Sequence, residues 1–191
     1  MLRTLKLALL FSEGLVATYL GLAVFHELQL PEEAPVAHEQ IAEPIPEPEP
    51  RVPAAWMARC GPLAPPDLDL LVEEAAAEVN ADPLLLATIV LKESSCNPQA
   101  VGSSGEIGLT QVHPKFWLGS LKDEGIVAGQ EDLFVPQNNL RASAFILARQ
   151  LLRSEGSAWG AFRRYNGAGP RARRYARDAV AVHQSLVLLA Q

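Results

Sequence analysis

Cysteine is scarce. The 191-residue chain has two, Cys60 and Cys96, too few for a disulfide scaffold and without the spacing of a metal site. Neither a metal nor a cofactor is expected. No alternation of apolar and polar residues marks a strand, which argues against a sheet-based fold. No internal repeat is present, which argues against a repeat array. A recognised nucleic-acid motif is also missing, so nucleic acid is not an expected partner.

The charge that is present is unevenly spread. Eight of the 22 acidic residues precede Ala54, whereas positions 139–191 carry nine arginines against Glu155 and Asp178. That basic end either suits an anionic polymer or is a solvated helix face. At the other end, Arg3 and Lys6 precede a mostly apolar stretch from Leu7 to Phe25. As a helix it would span ~28 Å, close to the hydrocarbon thickness of a bilayer. The basic flank would keep the N-terminus in the cytoplasm and put the rest across the membrane. Against this, Glu13 inside the run would cost roughly 2.5–3.5 kcal/mol at the bilayer centre. Gly21-Leu22-Ala23 also offers a small-x-small cleavage site. Residues 1–30 therefore read as a signal anchor, with a transmembrane helix about 7–25, or as a cleaved signal peptide. Residues 31–55 follow as a linker dominated by proline and glutamate, a semi-rigid spacer of ~3 Å per residue. The rest is expected in the periplasm, tethered by a single pass or secreted. In that compartment Cys60 and Cys96 would form one bridge, contributing roughly 3–4 kcal/mol; the alternative is two buried thiols.

Residues 56–191 read as one mainly α domain. Pro65-Pro66-Asp67 starts a helix with Leu68, Leu71, Ala75 and Val79 on one side. Asp82-Pro83 starts a second, PLLLATIVLKES, apolar nearly all round and therefore buried. A third runs from about Gln137 to Arg153 on Leu140, Ala144, Leu147 and Leu151. A fourth follows Pro170, with Ala172, Tyr175, Ala176, Ala179, Val182, His183 and Leu186 at helical spacing.

The second helix ends in ESSCNPQAVGSSGEIGLTQVHP, from Glu93 to Pro114. A glutamate at the end of a buried helix has its charged form disfavoured by apolar neighbours and by the helix C-terminus. Both keep it protonated nearer neutral pH, the state a general acid needs. Gly102, Gly105 and Gly108 then let backbone approach a ligand, and Gln111 offers a donor and an acceptor. Taken by itself, the pattern equally fits an exposed helix-end residue.

The segment resembles the catalytic core of the soluble lytic transglycosylase family, relatives of goose-type lysozyme. The residues that carry the resemblance are Glu93-Ser94, Asn97-Pro98, Ala100, Gly105, Gly108-Leu109-Thr110-Gln111 and Pro114. Two further blocks match in order, Pro136-Gln137-Asn138-Asn139 and Tyr165-Asn166-Gly167. The resemblance implies a lysozyme-like fold that cleaves the β-1,4 bond between N-acetylmuramic acid and N-acetylglucosamine in peptidoglycan. It implies that Glu93 protonates the departing oxygen, then takes a proton from the muramic C6 hydroxyl as a 1,6-anhydro sugar forms. Substrate-binding roles fall by the same resemblance to Ser94, Ser103, Gln111, His113, Tyr165 and Asn166, with the Tyr165 phenol near Glu93. The chain departs from the family at Gly102, where many members have serine and where Ser103 or Ser104 stands nearby. Thr110 replaces the usual methionine, which predicts a more polar cleft wall. Ser143 and Ile146 replace a usual glycine and tyrosine.

The partners so implied are peptidoglycan strands, the membrane, and a secretion, pilus or phage assembly that needs local wall opening. Three other functions stay open: a hydrolytic muramidase of the same fold, a non-catalytic glycan-binding or assembly protein, and a nucleic-acid binder built on the arginine-rich end, for which no recognised motif is present.

Overall fold

Asp82 caps the element on which the rest is built. Its carboxylate accepts the N–H of Leu84 at 2.8 Å, and Pro83 follows with a preset φ. In this computed structural model, which describes residues 54–191, α2 then runs Pro83–Ser94. Leu85, Leu86, Ala87, Thr88, Ile89 and Val90 are all buried, as expected of a helix apolar on every side. Leu86 and Ile89 are wholly enclosed, each worth ~1.5–3 kcal/mol of apolar burial.

Five further α-helices are described: α1 (Leu68–Glu78), α3 (Pro114–Asp123), α4 (Pro136–Leu152), α5 (Ala158–Asn166) and α6 (Gly169–Leu189), of which α1, α4 and α6 pack on α2. Short 3-10 turns at Ala55–Arg59 and Gln130–Phe134 complete the described fold. The only strand-like pairs among the described residues are isolated, Val101 with Ile107 and Ile107 with Val112. The expected helices at α1, α2, α4 and α6 are present with ends within a few residues of those read from the sequence. On α1 the buried face is Leu68, Val72, Ala75 and Ala76, rotated from the expected stripe; Leu71 and Val79 are only half-buried. Helices α3 and α5 were not anticipated.

Side chains from α1, α2, α4, α5 and α6 form the larger apolar cluster, including Leu68, Leu86, Ile89, Leu140, Leu147, Phe162 and Leu186. A smaller one joins Ile107 and Val112 to Leu121, Val127, Leu133, Ala142 and Ile146. Tyr165 packs against both, so it stands at their seam.

The hydrophobic stretch 7–25 and nearly all of the 31–55 linker lie outside the described residues. Among the described residues no helix is long and apolar enough to cross a membrane, and no group of His, Cys, Asp and Glu is placed to hold a metal.

Candidate active site

Helix α2 stops because Ser95 and Cys96 enter the left-handed region, at φ 52° and 68°. That turn leaves Glu93 one residue from the helix end and starts the loop 95–113. Within the loop, Ile107 and Val112 exchange backbone hydrogen bonds of 2.9 and 3.0 Å. Asn139 of α4 reaches in from behind. Its Oδ1 accepts from Thr110 N (3.0 Å) and Thr110 Oγ1 (2.6 Å), and its Nδ2 donates to Ile107 O (2.9 Å) and Leu133 O (2.8 Å). The amide, wholly buried, thus uses both donors and both acceptor sites. Gly108 makes this approach possible: at φ 80°, a Cβ there would collide with the Asn139 amide and Leu133 O.

The loop walls a cleft of about 460 Å³. Glu93 lies in it with Glu106, Gln111 and His113 from the loop, Phe116 and Trp117 from α3, and Tyr165, Asn166 and Arg171 from the α5–α6 corner. Burial raises the pKa of the Glu93 carboxyl, and the charge of Glu106 adds to the rise; Tyr175, Lys92 and Arg171 oppose it. The Tyr175 phenol lies close enough to stabilise the carboxylate, yet it meets no protein acceptor in the geometry of a full hydrogen bond. The Lys92 ammonium sits 5.1 Å from the centre of the same ring. Glu106 is the opposite case. Its own backbone N–H, followed by that of Ser104, holds its largely solvated carboxylate below the usual range, and His113 assists. The cleft therefore combines an acid biased toward its neutral form with a carboxylate biased toward its anion, a division suited to acid catalysis at a sugar bond.

Residues 70–186 match the family described as transglycosylase SLT domain. The chain belongs to that family. A solved structure, an inactive mutant of the lytic transglycosylase Slt from Pseudomonas aeruginosa, superposes with TM-score 0.58 at 19% identity. The match covers 63% of this chain but 24% of that one, so the likeness is to one part of a much longer protein and concerns the fold.

Within this SLT domain, Glu93, Ser103, Gln111, His113, Tyr165 and Asn166 line one cleft. Ser94 does not. Its hydroxyl donates to Leu109 O at 2.7 Å and leans on Val90 O at 3.4 Å, fastening the loop to the helix end. In this arrangement Ser94 does structural work, with its hydroxyl proton committed to the backbone. Gln111 is likewise half spent: Nε2 donates to Gly108 O (3.0 Å) and Ala100 O (3.2 Å), leaving Oε1 as its free acceptor. The Tyr165 hydroxyl bonds Thr110 O (3.0 Å) and Ser143 Oγ (2.9 Å) rather than Glu93. The Tyr165 phenol is still near enough for the Glu93 charge to act on it, and the Tyr175 phenol stands beside the same carboxyl.

Three of the departures from the family now have local places. Thr110 is wholly buried on Asn139, so it braces the loop from behind instead of making the wall polar. Ser143 supplies the Tyr165 partner, while Ile146 lines the cleft. Pattern reading missed Tyr175 and Glu106 near Glu93, and also Phe116, Trp117, Arg164 and Arg171 of the cleft lining. A tyrosine set among α6 alanines was the available signal, since a buried phenol needs a polar destination. Glu106 had none beyond its place between two glycines of the loop. Cys60 and Cys96 are joined, S–S 2.00 Å, and among the described residues no cysteine is free.

Proposed function

We propose that the chain is a peptidoglycan lytic transglycosylase whose proton donor is Glu93. The observation that carries this reading is a largely desolvated carboxyl, raised in pKa, in a cleft sized for sugar rings. Protonated Glu93 gives its proton to the glycosidic oxygen between N-acetylmuramic acid and N-acetylglucosamine. The C1–O4 bond breaks with its electron pair on O4. The muramic C6 hydroxyl then closes on C1, and its proton passes to the Glu93 carboxylate. The product is a 1,6-anhydro end, no water is consumed and Glu93 is reset.

Phe116, 67% exposed on the cleft rim, and Trp117 supply apolar faces for sugar rings. Asn166 and the Oε1 of Gln111 are the hydrogen-bonding groups for acetamido or hydroxyl substituents. Arg164 and Arg171 at the same cleft favour an anionic strand. We propose further that the domain works outside the cytoplasm, tethered through residues 7–25 or released, and opens the wall locally for an envelope-crossing assembly.

Product analysis on purified sacculi tests the chemistry. The wild type is expected to release 1,6-anhydro muropeptides and Glu93→Gln to release none. Reducing ends in place of anhydro ends would convert the reading to a muramidase. Undiminished release by Glu93→Gln would sink it.

A further inference from the structure

The cleft holds a second carboxylate that the scheme above does not use. We propose that Glu106 is a substrate-facing residue whose fixed negative charge stabilises the cationic anomeric centre as the glycosidic bond breaks. The inference rests on the reading of Glu93 as proton donor.

Three observations carry it. Glu106 and Glu93 line the same cleft, and they are its only acidic residues. The other formal charges among the lining residues are the guanidiniums of Arg164 and Arg171. When neutral Glu93 begins to donate its proton, positive charge grows at C1 and the ring oxygen. Without Glu106, that charge would grow among cationic side chains alone, with no permanent anion to oppose it.

The carboxylate is also held in place. Ser104 N donates to Oε2 at 3.0 Å, and His113, just before α3, is near enough to favour its ionised form. A group so held needs little reorganisation as charge develops. Finally, the backbone makes room for it. A Cβ on Gly102 would collide with Glu106 Oε2 and stand 2.7 Å from Gln111 Oε1. The position where many relatives carry serine is thus emptied, and the Glu106 carboxylate occupies the space that side chain would take.

In the proposed step Glu106 forms no bond and exchanges no proton. The Glu93 proton goes to O4, the C1–O4 pair goes with it, and C1 carries the positive charge opposite the Glu106 carboxylate. Closure by the C6 hydroxyl forms C1–O6, returns a proton to Glu93 and discharges the cation. Glu106 ends as it began.

The test uses the full 191-residue chain on purified sacculi, with wild type, Glu106→Gln, Glu106→Asp and Glu93→Gln side by side. Glu106→Gln is expected to lower kcat about 10- to 100-fold while KM stays within about threefold, less than the roughly 100- to 1000-fold lost with a stabiliser in a water-excluded site, because the Glu106 carboxylate is largely solvated. Glu106→Asp is expected to recover part of that loss. The alkaline limb of the pH–rate profile should also move to lower pH in Glu106→Gln, because the lost charge had been raising the Glu93 pKa. A merely structural role would leave that limb in place. The proposal is overturned if Glu106→Gln keeps kcat within threefold of wild type, or if the rate falls with the alkaline limb unmoved. An active Glu93→Gln would instead defeat the proton-donor reading itself, so the two failures are distinguishable.

Discussion

Glu93 must be neutral to give its proton and must then survive briefly as an anion. Burial serves the first requirement, and Tyr175, Lys92 and Arg171 serve the second. Tyr175 is the most telling of the three, because its ring is half-buried against the core and its buried hydroxyl has no well-formed bond elsewhere. Replacing it with phenylalanine removes a group that favours the charged carboxylate. Since Tyr175 lowers the Glu93 pKa, Tyr175→Phe should raise that pKa. Glu93 then stays protonated to higher pH, and the alkaline limb of the pH–rate profile moves up. The expected fall in kcat is roughly 2- to 10-fold, the worth of one hydrogen bond in the transition state. Stability should be little changed, since no formed bond is broken. A downward or absent shift of the limb would refute this arrangement. Position 93 was legible because a helix apolar on all sides ended there in an acid. Tyr175 was not, because on α6 it falls on the same stripe as Ala172, Ala176 and Ala179 and reads as one more core residue.

Among elements, the contact that shapes the site is between α4 and the loop before α3. One buried amide, Asn139, satisfies four polar atoms of Ile107, Thr110 and Leu133. Asn139→Ala would strand the Leu133 carbonyl and the Thr110 N–H and hydroxyl in an apolar surrounding, whereas Ile107 O would keep the Val112 N–H at 3.0 Å. Each stranded group costs ~1–3 kcal/mol less whatever water can enter, so a total loss of about 3–5 kcal/mol is expected from urea unfolding midpoints. A loss below ~1 kcal/mol would show that the loop stands without its strut. The motif Pro136-Gln137-Asn138-Asn139 was recognisable in the sequence, but the reach of its last residue across 29 positions to Thr110 was not. The same scale explains the two unforeseen helices. Helix α3 carries Phe116 exposed and Trp117 and Leu118 half-buried because one side of it borders the cleft, which blurs the periodicity. Helix α5 spans nine residues, too short for a convincing stripe, although Ser157 accepting Gly160 N at 3.2 Å is the cap that would have announced it.

For the domain as a whole, the site depends on where α2 ends relative to everything packed around it, and one covalent link fixes that end. The Cys60–Cys96 bridge spans 36 positions, joining the turn after Ala55–Arg59 to the residue three beyond Glu93. Around it, Gly61 N donates to Ser95 O at 3.3 Å, so the first turn and the helix end are also tied through the backbone. Reduction removes a restraint on the unfolded chain worth roughly 3–4 kcal/mol for a loop of this length. Breaking it should therefore lower the melting temperature by roughly 10 °C, read by calorimetry with and without dithiothreitol. Cys60→Ser/Cys96→Ser should melt near the reduced protein and no longer respond to reductant. The bridge lies at the far side of the Ser95 turn from Glu93, so the double variant should keep most of its activity below its lowered melting point. Equal melting of oxidised and reduced protein would mean that apolar packing within the larger cluster, not the sulfur bridge, holds the end of α2.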